Sequence, residues 1–280
     1  MTLHFQETDN PSAPTILLVH GGGGAGWLWK PQVERLREFH CLVPDLPQHG
    51  QSSHELPFSI ANSAGLLADL IRNRAHQGKA NVVGLSVGAQ VALALLAQAP
   101  ELVERAVLSS ALVSPSPGMK LLTPGVVACS YRWFVAPFKQ NDWWVRINMK
   151  YAAGVPETYF DDFRRSFQDL TESSFTNLII ENQRFRLPSG LQRVRTPTLV
   201  VCGRSEYRAM RRSVRVISDA LPNARGYAVH HAPKLSLAAE HNWNLTAPDL
   251  FTELVRAWCE GRPLPESFQS LDQTGSGGWC

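Results

Sequence analysis

Short unbroken apolar runs alternate along this chain with stretches of helical periodicity. Thr15-Ile16-Leu17-Leu18-Val19-His20 has no polar alternation, which predicts a parallel strand buried on both faces. Pro31 to Phe39 then places Val33, Leu36 and Phe39 at helical spacing. Cys41-Leu42-Val43-Pro44-Asp45 reads as the next strand, and Ser59 to Ala75 as a helix with Ser59 as its N-cap. The apolar run Ala80-Asn81-Val82-Val83 predicts a strand, Ala89 to Ala97 an Ala/Leu-rich helix, and Ala106-Val107-Leu108-Ser109 a further strand. Such alternation implies right-handed crossovers and a mostly parallel, doubly wound α/β sheet.

The rhythm breaks between about Leu112 and Leu191, where no buried strand is evident. This stretch is rich in Trp, Phe and Tyr, and Asp161 to Leu170 and Phe175 to Phe185 read as helices. It predicts a helical cap over 112–191 inserted into a core of 1–111 and 192–261. Alternation resumes with a strand at Thr196 to Gly203, a helix from Arg208 to Leu221, a last strand from Gly226 to His230 and a closing helix from Pro248 to Cys259. Residues 262–280 carry two Pro and Gly275-Ser276-Gly277-Gly278, which predicts a flexible tail.

Composition narrows the class. With 280 residues, 44% hydrophobic and 18% charged, the chain suits one large α/β core with an insertion. The net charge of +3 is small; the five Arg between Arg204 and Arg215 are interrupted by Glu206 and read as a solvated helix face rather than a nucleic-acid site. No apolar run reaches membrane-spanning length, and Met1 to Glu7 has neither the basic start nor the apolar core of a leader. The five Cys are widely spaced without CxxC patterns, so neither a zinc site nor a disulfide framework is expected; a reducing, cytoplasmic setting is.

The chemistry centres on Gly84-Leu85-Ser86-Val87-Gly88, which fits G-x-S-x-G between a strand and a helix. In that context the turn strains the serine and lifts its hydroxyl above a helix N-terminus; the alternative is a Gly/Ser-rich structural turn. A serine nucleophile needs a base, an acid holding that base, and donors for the oxyanion, all in loops at the carboxyl ends of strands. His20-Gly21-Gly22-Gly23-Gly24 follows the first core strand, so Gly22 is the favoured oxyanion donor ahead of Gly23, with the Val87 N–H as the second donor. No Lys-Ser/Thr follows the glycines, which argues against phosphate binding. His20 reads as a loop brace.

Glu206, just beyond a late strand, is the candidate acid; its alternative role is an exposed first-turn glutamate. Asp45 also ends a strand, but precedes the nucleophile within turn-like Pro44-Asp45-Leu46-Pro47. His241 is the preferred base over His230 and His231, which end a strand, and over His40, His49, His54 and His76, which precede the nucleophile. The order Ser86, Glu206, His241 is nucleophile, acid, base.

Taken together these segments resemble the α/β-hydrolase-fold serine hydrolases, in particular small esterase, lactonase and lyase-like members with a helical cap. The resemblance runs from about Leu3 to Gly261. It rests on Leu17 to Gly22 with Trp29, on the elbow, and on His241-Asn242-Trp243-Asn244-Leu245 with Pro248 and Phe251. It also rests on Val43 to Ser52, similar to the family's D-x-P-G-H-G-x-S loop, with Gln48 where Gly is usual. Glu206 replaces the more frequent Asp, and Glu240 stands before the histidine where Gly is common, either raising the His241 pKa or pointing to solvent.

The resemblance implies an acyl-enzyme mechanism without metal or organic cofactor. Epoxide hydrolases and haloalkane dehalogenases of this fold use an aspartate nucleophile, and Ser86 argues against both. The aromatic insertion points to a small, largely apolar ester or lactone, with Gly23, Trp133, Trp143, Trp144 and Trp243 as candidate substrate-binding residues. The same triad would also serve a thioesterase, a carbon–carbon bond hydrolase or a hydroxynitrile-lyase-like enzyme. A hydrolase-fold receptor with little turnover belongs to another class, and the intact triad weighs against it. Oligomeric state is left open, a homodimer included.

Overall fold

Strands that are apolar on both faces need cover on both sides, and the computed structural model supplies it. It describes residues 3–54, 57–113, 122–230 and 235–270. The strands are β1 (Phe5–Glu7), β2 (Thr15–Val19), β3 (His40–Pro44), β4 (Ala80–Leu85), β5 (Val103–Ser109), β6 (Thr198–Gly203), β7 (Ala224–Val229) and β8 (Phe268–Ser270). They form one eight-stranded sheet in the order β1-β3-β2-β4-β5-β6-β7-β8. The six inner strands run parallel, while β1 pairs antiparallel with β3 and β8 antiparallel with β7.

Side-chain alternation divides each inner strand between two apolar layers. Leu17 and Val19 of β2 join Val82, Leu108 and Val200 on one face, beneath α2 (Ile60–Arg74), α3 (Val87–Gln98) and α8 (Arg208–Ala220). Ile16 and Leu18 join Val83, Leu85, Val107 and Val201 on the other, against Trp29, Leu36 and α11 (Pro248–Glu260). Burying each such side chain is worth about 1.5–3 kcal/mol, so the sheet is rigid where the loops above it must be placed.

Local signals decide the ends of elements. Ser59 caps α2 by accepting from the Asn62 N–H. The first helix, α1, covers only Lys30–Arg35, shorter than its periodicity suggests, because Leu36 turns into the core. Cys41 and Cys202 are buried strand residues, and burial pushes the Cys41 thiol up to about 11.

Between β5 and β6 the described residues form α4 (Pro124–Phe134), α5 (Asp142–Ile147), a π-helical stretch at Asn148–Ala153, α6 (Phe160–Gln168) and α7 (Glu172–Arg184). Val145, Met149, Val155 and Phe163 pack against Trp27 and Leu28, which follow the glycine loop. Two short helices, α9 (Leu237–His241) and α10 (Trp243–Thr246), precede α11. Phe268–Ser270 lies within the stretch expected to be a flexible tail, yet pairs with β7 and buries Phe268 against Trp243. Residues 271–280 of that tail are outside the described residues, as is His231.

The chain moves from β2 to β3 on one side and to β4 on the other, so the winding reverses between β2 and β4. The carboxyl ends at such a reversal diverge and leave a crevice. The glycine loop follows β2 and Ser86 follows β4, which puts both at this crevice.

Candidate active site

Ser86 is held at φ 56° and ψ −115° between β4 and α3. A non-glycine residue at positive φ is strained, and such strain is kept where the surroundings over-determine it. Here they do. The Ser86 N–H donates to Ser109 O at 2.8 Å. A Cβ on Gly84 would sit 2.5 Å from Gly88 O, and one on Gly88 would press into Val19 O. Both glycines are therefore needed for α3 to close onto the sheet. As the first residue of α3, Val87 has an N–H with no carbonyl four residues back in the helix.

The glycine loop lies directly over this turn. A Cβ on Gly21 would stand 3.5 Å from Ser86 Cβ, and one on Gly22 3.2 Å from Val87 Cγ2. The two oxyanion candidates are thus neighbours. His20 is fully buried; its Nδ1–H donates to Gly21 O at 2.8 Å, and its Nε2 accepts the Leu46 N–H at 2.9 Å. Both ring nitrogens are committed, so His20 braces the loop. Asp45 likewise organises its turn, accepting from the N–H groups of Gly26 at 2.7 Å and Gln51 at 2.9 Å.

His241 ends α9, and its Nδ1–H donates to Glu206 Oε1 at 2.6 Å. The Glu206 side chain has no solvent exposure. Its second oxygen accepts from Ser110 Oγ at 2.9 Å and the Gly203 N–H at 3.2 Å. Charge-assisted bonds of this kind fix the carboxylate and, through it, the imidazole. Ser110, itself at φ 56°, was not singled out from the sequence; its place just after β5, at the carboxyl edge of the sheet, was the available signal. His230 is exposed at the end of β7.

Glu240 does not point to solvent. It is buried, and its Oε2 accepts the Ser205 N–H at 2.9 Å. Burial first, and the nearby Glu206 charge, raise its pKa above the ordinary carboxylate value. Ionising it in the fold is therefore a cost, present at neutral pH and absent once acid protonates the group in both states. Glu240→Gln, which keeps an acceptor for Ser205, is expected to raise the melting temperature at neutral pH. The two proteins should converge by about pH 4 in a thermal-shift series.

Ser86, His241 and Gly21 to Gly24 open onto one cavity of about 280 Å³. Phe163 and Phe167 of α6, Phe175 and Leu178 of α7, and Ala152 and Val155 supply its apolar walls. Of the sequence candidates, Gly23 lines this cavity, and four tryptophans do not. Trp133 and Trp143 are 70% and 67% exposed on the outside of the insertion, and Trp144 packs on Phe138 beside them. Trp243 is fully buried, donating to Ser109 Oγ and packed at a tilt against the Phe251 ring. The spacing Phe160, Phe163, Phe167 was the signal for the true wall, since it puts one aromatic face on a helix. A larger polar depression of about 710 Å³ lies at the amino ends of the strands, around Thr15, Lys79 and Arg105, remote from these groups. Among the described residues there is no His/Cys/Asp/Glu group placed to hold a metal, and no helix long and apolar enough to cross a membrane.

A mostly parallel eight-stranded sheet with a serine elbow at its topological reversal defines the class of α/β hydrolases. Residues 14–177 match the family described as alpha/beta hydrolase fold, and the chain belongs to that family. An AB hydrolase superfamily protein of Gibberella zeae is 30% identical over 277 residues, covering 96% of this chain and 88% of its own. Solved structures share the fold, two of them as follows. A thermophilic esterase from Thermogutta terrifontis matches with a TM-score of 0.71 and 21% identity, over 92% of this chain and 93% of that one. The enol-lactonase from Burkholderia xenovorans matches with a TM-score of 0.66 and 22% identity, over 92% and 96%.

Proposed function

We propose that this protein is a serine hydrolase that cleaves an ester or lactone bond of a small, largely apolar substrate through an acyl-enzyme. One observation carries the reading: strained Ser86 and Glu206-bound His241 face the same apolar cavity beneath the glycine loop. In this reading His241 takes the Ser86 hydroxyl proton as the oxygen attacks the substrate carbonyl. The N–H groups of Gly22 and Val87 stabilise the oxyanion, each worth about 3 kcal/mol of barrier. His241 returns the proton to the leaving alkoxide, then takes one from the water that cleaves the acyl-enzyme. Glu206 holds the imidazole and stabilises its cation.

The helices between β5 and β6 act as a cap, and their phenylalanines favour an apolar substrate. The cysteines are widely spaced, and the four among the described residues are free, which favours a reducing, cytoplasmic location. The esterase and lactonase named among the fold neighbours fit the same bond class.

The test is fluorophosphonate labelling together with turnover of p-nitrophenyl esters of varied acyl length and of simple lactones. Labelling at Ser86 with turnover is the expected result. Absence of both in folded protein overturns the reading. Activity that survives His241→Ala would reassign the base.

A further inference from the structure

Helix α7 divides its surface between two tasks. Ser173, Asn177 and Glu181 are spaced by four and lie along one face. That face is hydrogen-bonded to the core. Gln48 Oε1 accepts from Asn177 Nδ2 at 2.9 Å and from the Phe58 N–H at 2.9 Å. Gln48 Nε2 reaches Ser173 Oγ at 3.4 Å, and Glu181 Oε2 accepts the Ile60 N–H at the start of α2 at 2.8 Å. Near the end of the helix, buried Gln90 donates to Asn182 Oδ1 at 2.9 Å. A neighbouring face carries Phe175 and Leu178 into the cavity. Leu178 is so close to the glycine loop that a Cβ on Gly22 would stand 2.6 Å from its Cδ1.

Gln48 sits at φ 62°, a conformation that glycine adopts freely and glutamine does not. Glycine would relieve the turn but has no side chain to reach Asn177. We propose that Gln48 is a positioning residue: its strained turn projects an amide that anchors α7 and so holds Leu178 and Phe175 as a fixed wall of the cavity over Ser86. The inference takes that cavity as the substrate site proposed above. It makes the wall over the glycine loop the rigid side of the pocket and assigns substrate-size discrimination to it.

Three variants separate anchoring from simple turn stability. Gln48→Gly relieves the backbone and removes the anchor. Gln48→Asn tolerates the same backbone but is one methylene too short. Gln48→Glu keeps the acceptor shared by Phe58 and Asn177. Hydrogen–deuterium exchange of the amides in 172–184 is expected to quicken severalfold in the Gly and Asn variants and to stay at the wild-type rate in the Glu variant. In parallel, p-nitrophenyl hexanoate should gain on the acetate in kcat/KM by about threefold in the Gly variant, through KM, as the wall yields. Unchanged exchange over 172–184 in Gln48→Gly overturns the proposal whatever the activity. Exchange that responds in a protein without esterolysis or labelling supports the anchor and sinks the hydrolase reading instead.

Discussion

Ser86→Ala is expected to lower ester turnover by on the order of 10⁴-fold or more and to abolish fluorophosphonate labelling. Nothing else in the cavity is equipped to replace it. In the proposed reading the base is His241, held at the same cavity by the Glu206 contact at 2.6 Å, and the other lining residues are mainly glycines and apolar side chains. Alanine keeps the turn, because the φ of 56° is imposed by the packing of Gly84 and Gly88 rather than by the serine side chain. Near-ultraviolet circular dichroism should therefore match the wild type. The loss should also be non-additive: Ser86→Ala combined with His241→Ala should be no slower than Ser86→Ala alone, since the two act as a unit. A single variant retaining a tenth of wild-type kcat would mean that the nucleophile lies elsewhere.

Acid is expected to destabilise the fold through the histidines beneath the glycine loop. His49 is buried with its ring 5.2 Å from that of His20 and in edge contact with Phe58 at 5.5 Å. Burial first, then the His20 neighbour, lowers the His49 pKa to about 3, against the pull of the Pro47 carbonyl and Asp45. His20 is lowered too, by burial. Both rings are thus neutral in the fold and take protons when it opens. Their contribution is fully present above the unfolded value near 6.5 and is lost as pH falls from there toward the folded value. By about pH 4.5, His49 alone should remove about 3 kcal/mol. For a chain of this size that corresponds to a fall in melting temperature of roughly 5–10 °C. His49→Asn, whose amide can still donate to Pro47 O, should start lower at neutral pH but decline less steeply. Equal slopes for the two proteins would assign the acid sensitivity to other groups.

The sheet and the elbow were legible because a parallel strand covered on both faces must be apolar throughout, and few other structures produce such runs. That Ser86 and the Glu206–His241 pair would meet at one cavity was legible because loop ends of strands are where such groups collect. The pocket wall was not. In a helical insertion, aromatic content says that a face is buried without saying which way each helix is rotated. Trp133 and Trp143 turned outward while Phe163 and Phe175 turned in. Trp243 was drawn toward the site by its neighbour His241, yet its indole packs in the core layer against Phe251 and Phe268. The strands β1 and β8 have three residues each, too few for any periodicity to mark. Glu240 escaped because burial of a charged group depends on a cavity that only Gly203 leaves open.

Those two short strands have a consequence for handling the chain. Each closes one border of the sheet and runs against its neighbour, so neither offers a long flat template to another molecule. Cutting the chain after Gly261, where the last helix ends, would strip β8 from β7. The six-residue β7 would then stand bare, with Ala228 and Val229 among its apolar residues. Aggregation, rather than lost catalysis, is the foreseeable fate of such a truncation, and expression designs gain by keeping the residues through Ser270.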